Sequence, residues 1–120
     1  MIPIKKYEDI KTRVQKEKGG LDFFGLILRE DAPGVWDLVV SAPWAEADEW
    51  SALRYLSEML RSELEPQELR QLSRIVILEK GSPVFKALIS APRSTGNSVT
   101  ELHNSSAGDI YFRHAYILAA

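Results

Sequence analysis

Cysteine is absent from this chain of 120 residues, which excludes disulfides, thiolate metal ligands and thiol nucleophiles together. Long apolar runs are missing too. Stretches such as Ile75–Leu78 are far too short to cross a bilayer, so no membrane association is expected. The opening residues, MIPIKKYEDIKTRVQKEKGG, contain no apolar h-region and no small-residue cleavage site, so a secretory signal is not expected and the chain reads as cytoplasmic. Histidine is scarce, with only His103 and His114, and there is no Gly-x-Ser-x-Gly elbow. Nucleophilic hydrolysis therefore has little to build on. No internal repeat, low-complexity tract or long linker divides the chain.

What is present is an ordinary globular composition, 45% apolar and 27% charged residues. A chain of this length buries roughly two thirds of its unfolded surface, enough for a core without staples. We expect one domain over residues 1–120.

The net charge of −2 hides an uneven distribution. Residues 1–20 hold six basic and three acidic groups, residues 21–68 three basic and eleven acidic, and residues 69–120 six basic and three acidic. An acidic middle argues against a broad nucleic-acid face, which needs clustered Lys and Arg. Acidic groups on solvated helix faces are the simpler explanation.

Ile4, Tyr7, Ile10 and Val14 recur at helical spacing among lysines, with Pro3 before them and Gly19-Gly20 after, predicting an amphipathic helix. LDFFGLILRE and VWDLVVSA read as strands joined by the turn DAPG, an antiparallel hairpin. From Ala45 to Leu64 a stripe of Trp50, Leu53, Leu56, Leu60 and Leu64 predicts one long helix with Glu46, Asp48 and Glu49 in its first turn. A short helix from Pro66 follows. RIVILE has the β-branched density of a strand buried on both faces. Ser82-Pro83 opens a further helix that Ala91-Pro92 stops, and RSTGNS is a polar loop. Two strands, roughly 98–104 and 109–118, are joined by SSAG; in the second, Ile110, Phe112, His114, Tyr116 and Leu118 are expected on one face.

The expected fold class is α+β: a mixed, mostly antiparallel sheet of about five strands packed with helices, in the order α-β-β-α-α-β-α-β-β. Strands 35–42 and 74–79 are read as a right-handed parallel crossover, which brings the loops that follow them to the same sheet edge. Ligands of open α/β sheets sit in the crevice outside such strand ends. The candidate binding residues are accordingly Ser41, Trp44, Lys80, Gly81 and Ser82. The stretch EKGSP resembles an anion-binding turn at a helix N-terminus, but it lacks the spacing of a phosphate loop.

The histidines share the terminal hairpin, where Glu101, Asp109 or Asp37 could join them in a metal or acid/base cluster. The favoured reading makes His114 a partly buried strand residue and His103 a surface one, so no metal and no cofactor are expected. The helix–hairpin–helix–strand order resembles restriction-endonuclease-like folds, which pair a strand acid with a Glu-x-Lys triplet. Asp37 lies in a strand but no such triplet follows it, and the adjacent Glu79 and Lys80 point to opposite faces. Aromatics around Trp36–Trp50 sit among Asp37, Glu46, Asp48 and Glu49, where a nucleic-acid backbone would be repelled. The leading expectation is a non-enzymatic interaction or self-associating domain, with a homo-oligomer or a protein as partner. The terminal strand is its candidate contact if that strand lies at an edge. The alternative is a small-molecule, anion or nucleotide-binding domain using the crevice at strands 35–42 and 74–79.

Overall fold

The computed structural model describes residues 2–90 and 99–120. Its elements are α1 (Ile4–Lys18), β1 (Phe23–Arg29), β2 (Trp36–Ser41), α2 (Pro43–Ala47), α3 (Glu49–Glu63), α4 (Pro66–Leu69), β3 (Leu72–Ile77), α5 (Pro83–Ile89), β4 (Thr100–Ala107) and β5 (Ile110–Ala119). The fold is α+β, and its five strands form one mixed sheet in the order β3-β2-β1-β5-β4. Only β2 and β3 are parallel, linked through α2–α4 as the crossover reading expects.

Alternation along the strands divides the core between the two faces of the sheet. On one face Phe24, Leu26, Leu38, Val40 and Leu118 meet Tyr7, Ile10 and Val14 of α1 and Leu56, Met59 and Leu60 of α3. On the other, Phe23, Ile27, Val39, Ala115 and Ile117 meet Phe85 and Leu88 of α5. Gly25 is the one β1 position where a side chain cannot be housed. A Cβ there would lie 2.7 Å from the Tyr116 carbonyl oxygen and 2.9 Å from the Phe23 ring.

The uneven charge is neutralised between helices. Basic α1 packs on α3, where Arg13 pairs with Glu63 and Tyr55 donates its hydroxyl to Glu17 at 2.6 Å. Lys6 reaches Glu68 at 2.7 Å, and Lys18 lies 4.8 Å above the Tyr55 ring.

Several expectations are corrected. The helix over Ala45–Leu64 is two helices. Asp48 leaves the helical conformation and caps α3, accepting from the Ser51 amide at 3.1 Å and the Ser51 hydroxyl at 2.8 Å. An aspartate competes for backbone donors in this way and so favours a cap over a helix interior. Trp50 does not join the buried stripe and is 72% exposed. At about 100° per residue it lies roughly 120° around α3 from Leu56.

β3 is an edge strand, with no residue fully buried. Its β-branched run packs against α3 and, among the described residues, has no strand on its outer side. The terminal strand β5 is interior, between β1 and β4, so it offers no free edge.

The C-terminal hairpin turns at Gly108-Asp109, with Gly108 at φ +61°, and the serines of SSAG belong to β4. The single-face reading of β5 also fails. Phe112, Ala115 and Ile117 share the α5 face, whereas Leu118 and the half-buried Tyr116 pack on the other. Arg113 is the extra residue: β1 passes from Leu28 opposite His114 directly to Arg29 opposite Phe112. Such a bulge inverts the alternation on either side of it. Across the hairpin from Arg113, Asn104 takes φ +46°, a conformation asparagine tolerates better than most residues. The expected helix stop at Ala91-Pro92, the loop RSTGNS and the strand start at 98 lie outside the described residues.

Candidate functional site

The crossover does bring the expected loops to one edge. Leu78 donates its amide to the Val40 carbonyl at 2.8 Å, and the Lys80 amide reaches Glu46 Oε2 at 3.3 Å. The groups expected to receive an anion are, however, already engaged. Ser82 Oγ accepts from the Phe85 amide at 3.1 Å, capping α5. Lys80 Nζ lies 3.8 Å from Asp22 Oδ1, and a carboxylate holds its backbone N–H. Gly81 has open space around its Cα.

Ser41, the last residue of β2, is fully buried. Its Oγ, Trp44 Nε1 and Asp22 Oδ2 are buried without a hydrogen-bond partner among the described residues. A cleft of about 340 Å³ beside them is lined by Lys18, Gly20, Leu21, Asp22, Pro43 and Trp44. Of the five expected residues, only Trp44 borders it.

Asp37 is buried on the α5 face of β2. Its Oδ2 accepts from Arg29 Nε on β1 at 2.7 Å and from Arg74 Nε on β3 at 3.2 Å, so one carboxylate ties three strands together. Arg29 also grips both oxygens of Asp31, at 3.0 and 3.2 Å. Two arginines and two carboxylates thus balance in charge, and Arg29, Asp31 and Arg74 also line a cleft of about 460 Å³. Asp37 is structural here.

No family model, curated protein or solved structure matches this chain. Its chemistry must therefore be read from its own side chains.

Two further arrangements stand out. The first is the histidine cluster. His103 and His114 are direct cross-strand partners, their rings stacked at 4.3 Å between centroids. Glu101, two residues before His103 on the same strand face, places Oε1 at 2.6 Å from His114 Nε2 and 3.3 Å from His103 Nε2. Trp36 and Tyr116 pack on the His114 ring at 5.4 and 4.5 Å. Burial pushes the Tyr116 phenol pKa up, and the neighbouring Glu101 carboxylate, which its hydroxyl meets, adds to the rise. The sequence places both histidines in this hairpin with Glu101, Asp109 or Asp37 as candidate partners, and the register selects Glu101.

The second is the outer flank of the sheet. α3 lies over β3 and α1 over β5. Tyr55 and Glu63 face α1, so the side of α3 carrying Trp50 and Leu53 faces away from α1, toward the β3 edge. A cleft of about 320 Å³ on the outer surface of α3 is lined by Trp50, Leu53, Arg54, Ser57, Glu58 and Arg61. No helix among the described residues is long and apolar enough to cross a membrane.

Proposed function

We propose that this chain is a non-enzymatic cytoplasmic interaction domain that self-associates, two copies pairing along β3 with Trp50 packed at the seam. The observation that carries this reading is the edge position of β3, an apolar strand paired on one side only among the described residues. Exposed edges of this kind are usually blunted by charge, proline or a bulge. The first half of β3 carries such features, an extra residue at Ser73 and the charge of Arg74, whereas Ile75–Leu78 carry none.

The edge is self-complementary. Leu78 donates toward β2, so alternation along the strand turns the N–H groups of Ile75 and Ile77 outward. A second copy related by a two-fold axis would present the same donors and acceptors in antiparallel pairing. Six paired residues alone bury too little for a stable dimer, which needs roughly 1,200 Å² in total. The α3 flank supplies the remainder, and its exposed tryptophan is the residue type most enriched among energetically dominant contacts. The anion-binding alternative has less support, because Ser82, Lys80 and the Lys80 amide already have partners.

Sedimentation velocity across a concentration series tests the reading. A dimer that weakens by roughly tenfold or more in Trp50→Ala is expected, as for a central tryptophan contact. Because Trp50 is exposed, the substitution should leave the monomer fold intact, which far-UV circular dichroism checks. A single monomeric species at the highest soluble concentration would overturn the proposal.

A further inference from the structure

We infer that Glu101, His103 and His114 form a binding site for a divalent first-row transition metal on the outer half of the C-terminal hairpin. The three offer one ligand atom each, and all these atoms lie within 4.8 Å of one another. Two of the separations are 2.6 and 3.3 Å, one shorter than the spacing between ligands around a metal and one close to it. In a tetrahedral site with bonds of roughly 2.0–2.1 Å, neighbouring ligand atoms lie about 3.3 Å apart. Metal binding requires the two imidazoles to turn out of their stacked arrangement so that both ring nitrogens aim at one ion, with Glu101 Oε1 already beside both.

The scaffold favours this use. Antiparallel register fixes His103 opposite His114, and strand alternation sets Glu101 on the same face. The His114 ring is held by Trp36 and Tyr116, while the Tyr116 hydroxyl meets the Glu101 carboxylate. Partners that orient a ligand in this way are a regular part of metal sites.

Ligand type selects the ion. Two imidazoles and one carboxylate suit Zn²⁺, Co²⁺, Ni²⁺ or Cu²⁺, whereas Ca²⁺ and Mg²⁺ prefer all-oxygen shells. The side chains of Glu101 and His103 are 47% and 60% exposed. The remaining coordination positions thus open to water, as in exchangeable sites and unlike closed four-ligand structural ones. The site lies on β4 and β5, away from the β3 edge, and does not depend on the dimer.

The test is isothermal titration of tag-free protein with ZnCl₂, paired with visible absorption on Co²⁺ addition. One Zn²⁺ per chain is expected, together with a Co²⁺ d–d band. His103→Ala, His114→Ala and Glu101→Gln should each weaken binding by roughly tenfold or more. CaCl₂ and MgCl₂ should give no saturable heat. His103 is mostly exposed, so His103→Ala remains informative even if His114→Ala fails to fold. Absence of Zn²⁺ binding, or equal binding by the wild type and His103→Ala, would overturn the inference.

Discussion

Replacing Asp37 with alanine removes the carboxylate that joins β1, β2 and β3. The Asp37 side chain is only 4% exposed, and the two guanidiniums it holds differ sharply in their surroundings: Arg29 is 20% exposed and Arg74 52%. A hydrogen bond to a charged group contributes about 1.5–3 kcal/mol. Two such bonds are lost, but the several kcal/mol spent on desolvating the carboxylate are recovered. Arg29 also keeps Asp31, so it is not left as an isolated charge. The net expectation is a loss of about 1–3 kcal/mol. For a chain of this size that lowers Tm by roughly 3–5 °C per kcal/mol.

Double-mutant cycles divide the effect. Asp37 with Arg29 should couple by about 1–2 kcal/mol, since contacting groups in one network are non-additive on this scale. Asp37 with Arg74 should couple by less than about 1 kcal/mol, because solvent screens a half-exposed partner. The assay is urea denaturation at a protein concentration where only monomer is present, since self-association would add to the apparent stability. An Arg74 coupling larger than that of Arg29, or a neutral Asp37→Ala, would refute the reasoning.

Two further perturbations probe the frame. Gly25→Ala drives a methyl group against the Tyr116 carbonyl and should cost about 1–3 kcal/mol, as overpacking does; an unchanged thermal melt would show that β1 and β5 are less closely apposed than the structure places them. On acidification, hydrogen bonds from the Ser51 amide and hydroxyl hold Asp48 below the usual carboxylate range, and Lys6 does the same for Glu68. Folded pKa values below the unfolded ones contribute stability that is complete above about pH 4–4.5 and lost as pH falls through the folded values. Tm should therefore fall below that range, and by less in Asp48→Asn; a Tm independent of pH between 5 and 3 would contradict it.

Much of the frame was legible from local chemistry. The α1 stripe, the DAPG hairpin, the parallel crossover and the Ser82-Pro83 start of α5 follow from spacing and capping residues, and the structure bears each out. Misreadings occurred where tertiary context decided. RIVILE has the composition of a strand buried on both faces, yet no residue of β3 is fully buried, and among the described residues the strand pairs on one side only. Trp50 looks like core by type but sits on the wrong side of α3 for burial. The bulge at Arg113 is set by pairing with β1, so no pattern within β5 could reveal which side chains share a face. The expected crevice residues do converge on one edge, but Lys80 and Ser82 are engaged by carboxylates and a cap, while Ser41 Oγ and Trp44 Nε1 stay buried without a partner among the described residues. The histidine grouping was legible as one of several possibilities, and hairpin register is what selects Glu101 over Asp109 and Asp37.

Backbone hydrogen exchange at β3 tests the central claim most directly. The amides of Ile75 and Ile77 face outward in the monomer, whereas that of Leu78 is bonded to Val40. Pairing across the edge predicts that Ile75 and Ile77 exchange quickly in dilute solution and become protected as concentration rises, with Leu78 protected throughout. Trp50→Ala should shift that protection to higher concentration. Equal, rapid exchange of Ile75 and Ile77 at every concentration would contradict self-association through β3.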